Sequence, residues 1–208
     1  MPAIPRRAPA LISLMLVAVG GRRSVAQASG AWVVAPRYAS DGEGAIFAGR
    51  VSNSWIVAEE FTFDVRDGGW ALGVGAGPRF GGVTLGLTTL VGPVYAASSW
   101  YAGLYVAPAW RTGRFTAGGT IEIFIPTRRN DALVYELSHA RLLFRATHDV
   151  RIGVFIHLER EGSVWDRAQA GPSLRFGLGP ELTLTADVAR GFAGTPSMVL
   201  ASIEWSRH

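Results

Sequence analysis

Apolar and polar residues alternate along most of the chain after its first thirty positions. The clearest segment covers residues 150–158, in which every second residue from Val150 to Leu158 is aliphatic. Side chains on a β-strand point alternately to opposite faces, so this pattern predicts a strand with one apolar face. Nine residues are enough for a tilted strand to cross the hydrocarbon core of a bilayer.

The same period of two recurs in eleven further segments, separated by residues typical of turns. These segments are 31–38, 45–52, 55–64, 70–80, 83–91, 100–110, 115–125, 133–146, 167–176, 182–188 and 199–205. The pattern predicts an all-β protein of about 12 strands, and counts of 10 or 8 remain open. An even number is what a closed, antiparallel, up-and-down bacterial barrel needs.

Segment 133–146 differs from the others because its apolar residues change face near Ser138 and His139. We expect a β-bulge there, since an extra residue in one strand shifts the alternation by one position. As consecutive strand residues, Ser138 and His139 are expected to point to opposite faces of the sheet.

Aromatic residues stand near the ends of the predicted strands, on the apolar face. They are Trp55, Trp70, Phe80, Trp100, Trp110, Phe115, Phe176 and Trp205. Aromatic rings at strand ends are typical of barrels whose apolar face meets lipid, and 26 glycines with only 17% charged residues favour that orientation. The alternative is a soluble barrel or sandwich with its apolar face inside.

The first 28 residues have the layout of a secretory signal peptide. Arg6 and Arg7 precede an apolar run over 10–19, and the small residues Ala26 and Ala28 offer a cleavage site. We expect cleavage after Ala28, which leaves a barrel domain over 29–208. The arginine pair Arg22 and Arg23 is unusual between the apolar run and the cleavage site. The alternative that this segment remains as an uncleaved membrane anchor is therefore kept.

Charge and residue usage exclude several classes of function. The basic residues are all arginine, and the 16 arginines beyond residue 28 equal the 16 acidic residues, so no nucleic acid partner is expected. Cysteine is absent, which excludes disulfides, thiolate metal sites and a cysteine nucleophile. The four histidines are scattered, and His157 with Glu159 supplies two ligands at most, so neither a metal site nor a cofactor is expected.

On these segments, the chain resembles the outer-membrane β-barrel superfamily over residues 31–205. The resemblance lies in architecture and not in a motif. It implies location in an outer membrane, contacts with membrane lipid and lipopolysaccharide, and insertion by the outer-membrane assembly machinery. Members of that superfamily typically end on an aromatic residue, whereas this chain continues after Trp205 with Ser206, Arg207 and His208.

The polar faces of the predicted strands would line the barrel interior. The expected lumen residues are Arg79, Arg111, Glu122, Arg151, His157, Glu159, Arg167, Gln169, Arg175, Asp187 and Glu204. Arginines in a pore wall favour anions, so the sequence predicts a small passive pore for small anionic solutes.

Two alternatives to a pore remain. The sequence does not determine the oligomeric state. The first is a non-conducting structural or adhesive barrel with a packed polar core, in which Arg128 and Arg129 of an outer loop would contact lipid phosphate. The second is a lipid-modifying hydrolase, for which no serine stands at a recognisable spacing from His157 and Glu159.

Overall fold

The computed structural model describes residues 31–40, 42–52, 54–64, 70–92, 100–127 and 132–207, which form twelve strands. The strands are β1 (Ala31–Ala39), β2 (Glu43–Val51), β3 (Trp55–Asp64), β4 (Trp70–Phe80), β5 (Val83–Val91), β6 (Trp100–Thr112), β7 (Phe115–Pro126), β8 (Val134–Arg145), β9 (Val150–Glu161), β10 (Val164–Gly177), β11 (Leu182–Gly191) and β12 (Met198–Arg207). The expected signal peptide and the pair Arg128 and Arg129 lie outside the described residues.

Each strand pairs antiparallel with its neighbours in sequence, and β1 also pairs with β12. This pairing closes the sheet into an up-and-down barrel of 12 strands, which confirms the predicted fold class and strand count. No helix among the described residues is long and apolar enough to cross a membrane.

The two faces of the sheet differ as the alternation predicts. Large apolar side chains on the outer face are exposed, with Leu87 at 66% and Phe80 at 62%, whereas Gln169 and Asp187 on the inner face are fully buried. A soluble monomer rarely exposes a contiguous apolar surface of this kind. The alternative with the apolar face turned inside is therefore wrong.

Connections at the two ends of the barrel differ in length. The end that holds residues 31 and 207, here called the base, has turns of two to four residues. The opposite end, here called the top, has connections of two to eight residues. Exposed aromatic residues mark both ends, with Trp55 and Trp110 near the base and Trp70 and Trp100 at the top. An aromatic belt at each end is typical of a barrel whose two ends lie at the two membrane–water interfaces.

The predicted bulge in β8 is present. The register between β8 and β9 shifts between Leu137 and Ala140, and His139 has a φ of 51°. Ser138 and His139 are both buried inside the barrel, so the expectation that they point to opposite faces is wrong. The extra residue of the bulge turns His139 inward beside Ser138.

Gly86 in β5 leaves room for an aromatic ring of the next strand. A Cβ built on Gly86 would stand 2.1 Å from Cζ of Tyr105, whose side chain is almost wholly buried. We expect Gly86→Ala to lower the yield of folded barrel in refolding, because the ring must leave its place. Tyr105→Ala in the same chain should restore the yield, and a double variant no better than Gly86→Ala would contradict this account.

Candidate functional site

The eleven residues that the sequence places in the lumen all lie on the inner face of their strands. Nine of them are on β7 and β9–β12, and the most deeply buried are Glu122, His157, Glu159, Gln169 and Asp187. Arg79 and Arg111 stand at the base, where Arg79 donates a 2.8 Å hydrogen bond to the carbonyl of Ser52. Arg111 is exposed.

An ion-pair network crosses the barrel near its top. Arg167 on β10 contacts Glu43 on β2, and its Nε lies 3.3 Å from Oε2 of Glu159 on β9. Three strands, β11, β12 and β1, separate β10 from β2 along the wall. A direct contact between side chains so far apart means that they meet across the lumen, which is therefore narrow at this level.

Arg37 and Glu60 form a second buried pair close to the first. Nη2 of Arg37 lies 2.6 Å from Oε1 of Glu60, and both side chains are less than 5% exposed. The hydroxyl of Thr62 also donates to Glu60, at 3.5 Å. Alternation did not single out this pair, because the inner faces of β1 and β2 carry mostly Ala, Val and Phe.

The middle of the barrel is occupied by further paired groups. Arg141 on β8 reaches Asp187 on β11 with a 2.5 Å contact, and its guanidinium lies over the ring of Phe155. Nε2 of His157 lies 3.1 Å from Oε1 of Glu136, and the rings of His157 and His139 are 5.1 Å apart. These contacts hold the interior of β8, β9 and β11 together.

Ser138 does not form a nucleophile and base pair with the nearby histidines. Its hydroxyl donates to Glu122 at 3.4 Å. In a serine–histidine hydrolase, the serine hydroxyl donates to the histidine that takes its proton, and Ser138 does not make this contact. The described residues also hold no group of three His, Asp or Glu side chains with the geometry of a metal site.

Three arginines stand side by side at the base on neighbouring strands. Arg151 on β9 is directly opposite Arg145 on β8 and Arg175 on β10, and all three lie on the inner face. We call these residues the arginine row. Arg175 binds Glu204 at 2.8 Å, and Arg111 is within electrostatic range of Arg151.

The arginine row brings three guanidiniums together on adjacent strands, and Glu204 pairs with Arg175 at one end of the row. Like charges directly opposite each other on a sheet destabilise it by about 0.2–1 kcal/mol per pair. An anion between the guanidiniums would remove that cost, so the row is suited to attract anions.

Several buried polar atoms of the inner face have no hydrogen-bond partner among the described residues. They include Tyr105 Oη, His139 Nδ1, His157 Nδ1, Gln169 Oε1 and Ser173 Oγ. A buried polar atom without a protein partner normally binds water, because leaving it unbonded costs about 1–3 kcal/mol. Each of these atoms needs a water molecule or a rearranged side chain to complete its hydrogen bonding.

The wall formed by β1–β6 is less polar than the sequence led us to expect. Its inner side chains pack into an apolar cluster that includes Val33, Phe47, Ile56 and Tyr105. Charged groups thus concentrate on the opposite wall, β7–β12. Among the described residues of β1–β6, Arg37, Glu43 and Glu60 lie on the inner face near the top, and Arg79 and Arg111 lie at the base.

The solved structures that superpose on this chain include porins and an outer-membrane protein, while neither a protein-family model nor a curated protein matches the chain. The KdgM porin in complex with disordered oligogalacturonate superposes with a TM-score of 0.60 at 12% identity, covering 86% of this chain and 99% of that one. The NanC porin gives 0.55 at 12% identity, covering 85% and 99%. Omp33 of Acinetobacter baumannii gives 0.51 at 8% identity, covering 85% and 97%. At these identities, the likeness shows that the chain has the fold of outer-membrane β-barrels.

Proposed function

We propose that this barrel is a narrow passive pore for small anionic solutes in an outer membrane. The observation that carries the proposal is the arginine row, Arg145, Arg151 and Arg175, on the inner face at the base. Clustered guanidiniums raise the local concentration of anions and lower the barrier to their entry.

Two further observations support the pore. The inner face of β7–β12 is lined by polar and charged side chains, and a polar lumen is a condition for passing small ions. The KdgM porin structure contains oligogalacturonate, a chain of sugar carboxylates, and so couples the same fold to an anionic solute. This chain and KdgM share too few residues for the solute itself to be carried over.

A second candidate is a non-conducting barrel with a packed polar interior. It is favoured by the contact between Arg167 and Glu43, which crosses the lumen. Such a barrel would act as a structural scaffold in the membrane, and its charged groups would be paired inside the barrel and stabilise the fold. The two candidates differ in one measurable property, which is whether ions pass.

Conductance of the purified barrel in a planar lipid bilayer separates them. We expect small stepwise currents with a reversal potential that indicates anion selectivity. The double variant Glu43→Ala with Arg167→Ala removes the contact across the lumen and should increase the step size. Insertion without any current, in both the original chain and the double variant, would overturn the pore and support the scaffold.

A further inference from the structure

Glu59 places a carboxylate on the outer face of β3, in the middle of the apolar band. Trp55 lies four residues toward the base and Phe63 four residues toward the top, and Glu59 is exposed. The residues directly opposite it on the neighbouring strands are Ala48 and Val74, which are both apolar. An ionised carboxylate is costly in hydrocarbon, so Glu59 requires a polar partner in the membrane.

Among the residues that the structure describes, Arg50 is the nearest cation on the same face. It lies on β2 opposite Val57, two residue pairs closer to the base than the pair of Ala48 and Glu59. Arg50 and Glu59 are thus diagonal neighbours on one outer surface, and both are exposed. Neither makes an ion pair or a side-chain hydrogen bond with any other residue that the structure describes.

This arrangement is self-complementary under a two-fold axis along the membrane normal. If the axis passes between β2 and β3, each β3 faces the β2 of the second copy, and residues keep their depth in the membrane. Glu59 then lies against the partner's Ala48, whose small side chain leaves space. The partner's Arg50 stands two residue pairs closer to the base and has a side chain long enough to reach toward the carboxylate.

We propose that the outer face of β2 and β3 binds a second copy of this chain, with Glu59 of each copy against Arg50 of the other. The dimer would remove both charges from contact with lipid. It would form two equivalent ion pairs in a medium of low polarity, where a hydrogen-bonded pair of charges gains most. This surface lies outside the barrel, so the proposal does not depend on whether the lumen conducts.

Cross-linking of single-cysteine variants tests the contact, and the absence of native cysteine makes the readout clean. Val57→Cys lies beside the proposed axis, and Val154→Cys on β9 is the matched control on the opposite wall. The two valines are similarly exposed, at 56% and 49%. In dilute lipid vesicles treated with a short bifunctional maleimide, we expect dimers from Val57→Cys at several times the yield from Val154→Cys.

Charge reversal in the Val57→Cys chain tests the ion pair itself. Glu59→Arg alone and Arg50→Glu alone should each weaken self-association at least about tenfold, because opposite charges become like charges at the contact. The double variant carrying both changes should restore dimers. Glu59→Gln keeps the shape of the side chain and should weaken the dimer less than Glu59→Arg.

Heat-modifiable migration on gels checks that each variant is folded before its yield is compared. Equal cross-linking of Val57→Cys and Val154→Cys would overturn the proposal, because it would indicate random collision. Dimers that persist after either single reversal, or that fail to return in the folded double variant, would overturn it too.

Discussion

Exchange of Arg145, Arg151 and Arg175 for glutamate is expected to convert the barrel from anion-selective to cation-selective. The change replaces three positive charges by three negative ones at a single level of the lumen. One unit charge about 4 Å away is worth about 1 kcal/mol even in bulk water, or about fivefold in relative permeability. The reversal potential measured under a salt gradient should therefore have the opposite sign in the triple glutamate variant.

The controls for this experiment use charges outside the lumen. Arg114, Arg190 and Arg207 are exposed in a base turn or on the outer face, and their exchange for glutamate should leave selectivity near that of the original chain. Because Arg175→Glu faces Glu204, a triple exchange for glutamine provides a gentler variant that should abolish selectivity without reversing it. Unchanged anion selectivity in both triple variants would remove the arginine row from the permeation path.

Glu60→Gln is expected to destabilise the folded barrel by about 3–5 kcal/mol. The substitution leaves the guanidinium of Arg37 without its carboxylate in a place where both side chains are less than 5% exposed. Urea unfolding of the barrel, followed by tryptophan fluorescence in detergent micelles, measures the loss as a change in the free energy of unfolding.

Replacement of both partners distinguishes a broken pair from a general defect. Arg37→Met with Glu60→Leu removes both charges, and its stability should return to within about 1–2 kcal/mol of the original. Glu181→Gln, in an exposed turn at the base, should change stability by no more than about 0.5 kcal/mol. A loss in the double variant as large as that of Glu60→Gln would show that the pair itself is not the cause.

The architecture was predictable because the lipid and the lumen impose opposite demands on alternate residues. Three strands, Trp55–Asp64, Trp70–Phe80 and Val83–Val91, have the bounds that the alternation indicates. The bulge near His139 was also visible as a change of face. The bulge between Trp165 and Arg167 in β10 was not, because that part of the strand is polar and shows no switch.

The contacts within the lumen were much less predictable. Arg145 was missed because it follows the bulge, where parity counted from the start of the strand assigns the wrong face. Glu43 was missed because its partner Arg167 comes from a strand that is distant in sequence, and periodicity carries no information on distance across a barrel. Arg37 and Glu60 were missed because Arg37 lies among alanine and valine on the inner face of β1, where alternation is weak. Glu59 and Glu60 show that residue type alone does not assign a face. They are identical neighbours on β3, and only their alternate positions place Glu59 on the outer face and Glu60 on the inner face.

The pairing of β1 with β12 has a consequence for the order of events during biogenesis. The sheet has two open edges until β12 pairs with β1, and these two strands are the first and the last of the twelve in sequence. Unpaired edges invite aggregation, so the polypeptide must be kept apart from its copies until the sheet closes. Removal of Met198–Arg207 would leave Trp32 and Val34 of β1 without their partners, and the remaining eleven strands would persist as an open, association-prone sheet.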